Sequence, residues 1–281
     1  MKIFASSGGG IRLGASFGAE LEGERQGKFK ATDFDFYIGT SAGALDALLT
    51  ANGWNGSQKR QLFLNTNFGQ YFSPPLVPLG VRKLFVLNFP ISLKKLAAYF
   101  DSLKLQAHPG LLINTVDAET NQQVIYCERK PDWAGQDTER LRWEAGAFKR
   151  YGLGTVLTRS MVLPGLIAED PRFLDGGVAE NPLLSVLPTE ADILLIHLGY
   201  AGLVKKKGEN YPQGALNQAL YAYEFKASCH AENLMAQHPN LKAIYPKIFD
   251  IDSAAFNLPF SAKLDMIQRA QANTREQWEA L

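Results

Sequence analysis

Twice within its first fifty residues the chain passes from a short β-prone run through small residues into an amphipathic helix. This repeat constrains the fold more than any other feature. Lys2–Ser6 leads into Gly8-Gly9-Gly10, and from Arg12 onward Leu13, Phe17 and Leu21 recur at near-helical spacing. Phe34–Ile38 leads into Gly39-Thr40-Ser41-Ala42-Gly43, and Leu45, Leu48 and Leu49 then mark one face of a helix directed toward Asn52. Two strand-turn-helix units in succession predict an α/β fold: a central, mainly parallel sheet in three layers, with helices on both faces.

The remaining chain supplies elements of the same kind. Ser57 and Ser92 are candidate helix caps, the second preceding a stripe of Leu93, Leu96, Ala97, Phe100 and Leu103. Leu111–Asp117 and Gln123–Tyr126, separated by a polar Glu-Thr-Asn, read as a hairpin or adjacent strands. Ile193–Leu198 suits a buried strand, and Lys242–Ile248 an edge strand because of Pro246. Ser261 is the expected cap of a final helix presenting Leu264, Ile267, Thr274, Trp278 and Leu281 on one side. The 281 residues hold no internal repeat, low-complexity tract or linker, so one domain spanning 1–281 is expected.

Composition excludes several classes. A formal net charge of +1 with 20% charged residues gives no electrostatic footprint for nucleic acid. Cys127 and Cys229 stand in unrelated contexts without the spacing of a zinc site, so neither a disulfide framework nor a structural metal is expected. The opening MKIFASSGGG lacks the apolar stretch of a secretory signal, and no run reaches the roughly 20 apolar residues that span a bilayer. The expectation is a soluble cytoplasmic chain that meets any membrane peripherally.

Three small motifs carry the chemistry. Gly39–Gly43 places Ser41 where a β run enters a helix, the context of a nucleophile elbow: a tight turn lifts the hydroxyl clear of the strand, and the helix N-terminus favours developing negative charge. The same residues also read as a small-residue turn in which Ser41 merely caps the helix. Gly8-Gly9-Gly10-Ile11-Arg12 is a glycine turn whose exposed amides suit an oxyanion hole, a phosphate cradle or a plain tight turn. Asp175-Gly176-Gly177 presents a carboxylate on a turn, and alone it is only a turn signal.

Taken in this order, the three motifs resemble the patatin-like phospholipase family. The resemblance extends to SMVLPGL before Asp175, AENPL after it, and FNLPFS leading into the last helix. It implies a three-layer α/β fold and a lipid acyl hydrolase that works without a cofactor. Ser41 would attack an acyl ester, most readily of a glycerophospholipid, with Asp175 as its base. The Gly9 and Gly10 amides would form the oxyanion hole, Gly39 and Gly43 would shape the elbow, and Arg12 would hold an anionic headgroup. Leu13 departs from the family pattern, in which a glycine often follows the basic residue; Gly14 and Gly18 keep their places.

Two rival readings remain. A Ser-His-Asp hydrolase would draw on His197 or His230, which follow Asp175 in the chain. However, only one strand-helix unit precedes the serine motif, and His197 within ILLIHLG reads as a satisfied strand histidine. A noncatalytic phosphate- or lipid-binding module would use GGGIR, which lacks the ending of a P-loop, and would leave Ser41 and Asp175 unexplained. The apolar run Phe72–Phe89, with Arg82 and Lys83, reads either as a membrane-contacting lid or as core packing, and Lys205–Lys207 as a solvated loop.

Overall fold

A computed structural model describes residues 1–71, 93–162, 172–199, 229–251 and 255–281. The run Phe72–Phe89, the cap position Ser92, the loop around Lys205–Lys207 and most of SMVLPGL lie outside the described residues.

The two opening units form as their spacing predicts. Strand β1 (Lys2–Ser6) is followed, after the glycines and a short 3-10 turn at Gly10–Arg12, by helix α1 (Leu13–Arg25). Strand β2 (Phe36–Thr40) leads through Ser41 alone into α2 (Ala42–Ala51). Helix α3 (Gly56–Asn65) is capped by Asn55 rather than Ser57: Asn55 and Gln58 exchange side-chain and backbone hydrogen bonds, each 2.9 Å long. That reciprocal box satisfies two orphan amides at once, which a serine inside the first turn cannot do. Helix α4 (Lys94–Ser102) follows, with Leu96 and Phe100 buried.

β3 (Leu111–Asp117) and β4 (Gln122–Cys127) pair antiparallel, and β5 (Leu141–Ala145) adds in parallel to β4. Two short helices, α5 (Ala147–Tyr151) and α6 (Leu153–Arg159), precede the three-residue β6 (Phe173–Asp175). β7 (Asp192–Ile196), β8 (Leu241–Ile244) and the long helix α7 (Phe260–Glu279) complete the described elements. The eight strands form one sheet in the order β5-β4-β3-β2-β1-β7-β8, with β6 added to β3, and β8 occupies the edge that Pro246 anticipates. Five pairings are parallel and two antiparallel.

Apolar side chains cover both faces of the sheet. On one face Phe4, Tyr37, Leu111 and Ile113 pack beneath α1, α2, α4 and α7. On the other, Ile3, Ala5, Ile38 and Leu112 meet Leu183, Leu184 and Leu187, together with Leu234 from a helical stretch at 229–235. Strands buried on both faces read as continuous hydrophobic runs, as β1 and β7 do here.

Helix α7 is held on α1 more extensively than its apolar residues suggested. Its buried stripe is Lys263, Met266, Ile267, Ala270, Thr274 and Trp278, while Leu264 is only half-buried; Pro259 occupies the cap position expected for Ser261. Close approach explains the stripe. A Cβ on Gly18 would sit 2.4 Å from the Ile267 carbonyl oxygen, and one on Gly23 would sit 2.7 Å from the Trp278 ring. The indole N–H of Trp278 donates to the Ala19 carbonyl at 2.8 Å. Trp278→Ala leaves this large void and an unpaired carbonyl, so it is expected to lower stability by about 3–5 kcal/mol in urea unfolding.

Candidate active site

One edge of β3 carries both halves of the site. Thr40, the last residue of β2, pairs with Asn114, and the next residue of β3, Thr115, pairs with Asp175, the last residue of β6. β2 runs parallel and β6 antiparallel to β3, so the two strands approach each other end to end along that edge. Their chain exits, Ser41 and Asp175, therefore meet.

The serine turn is tight and strained. Ser41 has φ 55° and ψ −128°, a left-handed conformation that a side chain occupies at a cost of about 1–3 kcal/mol. Its neighbours must be glycine: a Cβ on Gly39 would lie 2.4 Å from the Ala44 Cα, and one on Gly43 would lie 2.2 Å from the Ser6 carbonyl oxygen. The Ser41 N–H donates to Ser160 Oγ at 2.8 Å, and the Ser160 carbonyl accepts from the Gly176 N–H at 3.2 Å. Ser160 is fully buried and thus joins the serine turn to the aspartate turn.

Asp175 is buried, and burial pushes its carboxyl from 3.8 up to about 6, opposed by the Ser41 hydroxyl and the Gly177 N–H. Oδ1 accepts from the Gly177 N–H at 2.7 Å. Among the described residues Oδ2 has no partner of full hydrogen-bond geometry, although the Ser41 hydroxyl is near enough to favour the ionised carboxylate. A loose contact of this kind is usual before substrate binds. Asn114 braces the pair from β3: its Oδ1 accepts from Thr40 Oγ1 at 2.8 Å, and its Nδ2 donates to the carbonyls of Gly176 and Glu180, both at 3.1 Å.

The glycine turn lies against the serine at Gly8. A Cβ there would stand 2.8 Å from the Ser41 Cβ, and Asn181 clasps the same residue, accepting from the Gly8 N–H at 2.6 Å and donating to its carbonyl at 3.3 Å. Gly10 has φ +57°, which reverses the chain into the 3-10 turn. Among the described residues, no acceptor takes the N–H of Gly9 or Gly10. Arg12 is buried at the end of that turn, so an anion reaching it has to enter the loop rather than lie on the surface. Leu13 opens α1 inside the hydrophobic core, and Gly14 packs on the Phe63 ring; the departure from the family pattern is absorbed by the core.

None of the four histidines hydrogen-bonds Ser41 or Asp175. His197 lies one residue beyond β7 and is not satisfied as expected: its Nδ1 finds no partner among the described residues, its ring stands 5.6 Å from that of Tyr245, and burial lowers its pKa to about 4. His230 is exposed, the His238 ring meets the Leu184 carbonyl at 3.2 Å, and His108 Nδ1 accepts from the Gly110 N–H at 3.0 Å. Of the bracing residues, Asn181 lies within the AENPL run noted in the sequence. Asn114 was signalled only by a polar residue in the apolar LLINTV, whereas Ser160 opens the SMVLPGL run noted in the sequence, with no role read for it there.

A serine on a strained strand-to-helix turn, facing a buried aspartate beside unengaged glycine amides, is an arrangement that can carry out nucleophilic acyl transfer. The model of the patatin-like phospholipase family matches residues 4–188. The chain belongs to that family. Among solved structures it is similar to VipD from Legionella pneumophila, at 13% identity and TM-score 0.47, covering 99% of this chain and 66% of VipD. It is also similar to the type III effector protein ExoU, at 14% identity and TM-score 0.43, covering 99% of this chain and 52% of ExoU. The chain thus spans about two thirds of the first structure and half of the second. No curated protein sequence matches it. Among the described residues, no helix is long and apolar enough to cross a membrane.

Because Ser41 holds a positive φ, glycine fits that backbone better than alanine. Ser41→Gly is expected to be more stable than Ser41→Ala by about 1 kcal/mol in chemical denaturation, although glycine gains more entropy on unfolding.

Proposed function

We propose that this chain is a lipid acyl hydrolase in which Ser41 is the nucleophile and Asp175 the general base, with residues 1–281 acting as one domain. The observation that carries the reading is the meeting of a strained serine with a carboxyl held near 6 by burial. Asp175 in its ionised form accepts the hydroxyl proton as Ser41 Oγ attacks the ester carbonyl. The proton then passes to the departing alcohol or lysolipid. Water, deprotonated by Asp175, next attacks the acyl-serine and releases the fatty acid and free Ser41. The Gly9 and Gly10 amides receive the oxyanion of both tetrahedral intermediates; a single donor of this kind is worth about 3 kcal/mol. Gly39 and Gly43 permit the turn, and Arg12 holds the headgroup anion. Glycerophospholipid is the proposed substrate, with neutral acylglycerols next, approached by peripheral contact with a membrane from the cytoplasm and with no cofactor.

A base must be ionised, so kcat/KM is expected to rise about tenfold per pH unit up to an apparent pKa near 6 and then level off. A profile flat between pH 5 and 8 argues against Asp175 as the base.

Stability runs the opposite way. The folded-state pKa of Asp175 lies above the ordinary 3.8, so its proton stabilises the fold at low pH. That contribution is lost as pH rises from about 4 through 6, at a cost of about 3 kcal/mol by pH 8. Asp175→Asn is therefore expected to be inactive yet more stable than wild type at pH 8, by up to about 3 kcal/mol, with the gain gone at pH 4. Thermal melts at the two pH values check it.

The direct test is a mixed lipid extract treated with wild type or Ser41→Ala and analysed by mass spectrometry. Serine-dependent release of fatty acid and lysophospholipid is the expected result. Identical lipid profiles, with no labelling of wild type by a fluorophosphonate, would leave only the binding-module reading.

A further inference from the structure

Beneath the two turns lies a cluster of ionisable groups for which the proposed chemistry has no use. The Lys59 ammonium on α3 is fully buried and donates to Glu20 on α1, to Asp46 Oδ1 on α2 at 2.7 Å, and to Thr50 Oγ1 on α2 at 2.5 Å. Those three acceptors use all three of its donors. Asp46 Oδ2 accepts from Ser6 Oγ at 2.7 Å, and Ser6 and both carboxylates are fully buried as well. Phe4 and Phe17 flank the ammonium, with ring centroids 5.5 and 5.7 Å away.

The places these residues occupy are the entrances and exits of the candidate site. Ser6 ends β1, two residues before Gly8, where a Cβ would crowd Ser41. Glu20 stands on α1, the helix that leaves the glycine turn, and Asp46 on α2, the helix that leaves the serine turn. The Ser6–Asp46 hydrogen bond thus ties the strand feeding the amides directly to the helix carrying the serine. Gly43 reinforces the tie by lying against the Ser6 carbonyl.

We infer that Ser6, Asp46, Lys59 and Glu20 form a buried positioning device that sets the Gly8–Gly10 amides relative to Ser41 Oγ; the inference rests on the proposed role of Ser41. Apolar residues of similar size fill such a space with equal or greater stability, so ionic groups are a poor choice for cohesion alone. What they add is direction. Each hydrogen bond has one length and one angle, and in dry surroundings no water competes for it. A displacement of about 1 Å between nucleophile and oxyanion donors costs about a hundredfold in rate, so a rigid tie at this junction acts on chemistry directly. The cluster holds two carboxyls and one ammonium. Burial, then the neighbouring Asp46 carboxylate, raises the Glu20 carboxyl well above the usual range against the opposing pull of Lys59.

Ser6→Ala removes the tie and leaves the buried ion pairs in place. The expected result is a folded protein, with wild-type circular dichroism and elution, whose kcat and rate of labelling by a fluorophosphonate fall at least tenfold while KM stays within twofold. A purely structural role would lower the melting temperature without moving kcat well below that temperature. Folded Ser6→Ala labelled within twofold of the wild-type rate would overturn the proposal. If Ser6→Ala does not fold, Ser6→Cys, which keeps a side chain of similar shape but offers Asp46 only a weak donor, is read by the same kcat and labelling criteria. A wild type not labelled at Ser41 would instead remove the nucleophile assignment, a result distinct from equal labelling of wild type and variant.

Discussion

The candidate site depends on a single strand edge serving two partners. β3 pairs with β2 along residues 111–114 and with β6 along 115–117, from opposite directions and on the same side. Sheet hydrogen bonds define register to the residue, and a slip of one position would turn every side chain of the moved strand to the other face. The meeting of Ser41 and Asp175 is therefore set by backbone pairing and not by attraction between the two side chains. Asn114 holds the junction at the point where one partner strand gives way to the other.

Around that junction, polar groups are placed where backbone would otherwise be orphaned or loose. Ser160 receives the amide of the strained serine and offers its carbonyl to the turn after the aspartate. Asn181 clasps Gly8. Nearby, Glu180 accepts from the amides of Leu184 and Ser185 and from the Ser185 hydroxyl, anchoring the segment from which Asn181 projects. Buried polar groups have to be paired, and a network in which each member also fixes a neighbour is rigid. That rigidity is what allows the backbone at Ser41 to keep a φ that a side chain disfavours.

How much of this was legible in the sequence follows from how local each feature is. β1, β2 and the helices after them show in apolar spacing and glycine punctuation, because each element's pattern lies within its own few residues. β6 does not: Phe-Leu-Asp is too short for any period, and it is a strand only because β3 offers an edge. β5 was missed although Leu-Arg-Trp-Glu-Ala alternates apolar and polar residues: five residues are a short run, only Trp143 is buried, and the strand joins the sheet along the edge that β4 offers. The cap at Asn55 was misplaced to Ser57 because both residue types cap helices, and only the reciprocal bond with Gln58 distinguishes them. Lys59, Glu20 and Asp46 gave no sign of burial, since charged side chains at helical spacing ordinarily face solvent.

The shared edge of β3 also bears on when the chain becomes able to react. Thr40 pairs with Asn114 across 74 residues and Thr115 with Asp175 across 60, so loop closure does not delay β6; chain order does, since β2 and β3 are both made before it. During synthesis, the segment holding Ser41 emerges well before the one holding Asp175. On the proposed roles, a nascent or half-assembled chain has a nucleophile without its proton acceptor. Self-timing of this sort would keep a lipid-cleaving protein inert toward the membranes of the cell that makes it until its own fold is complete.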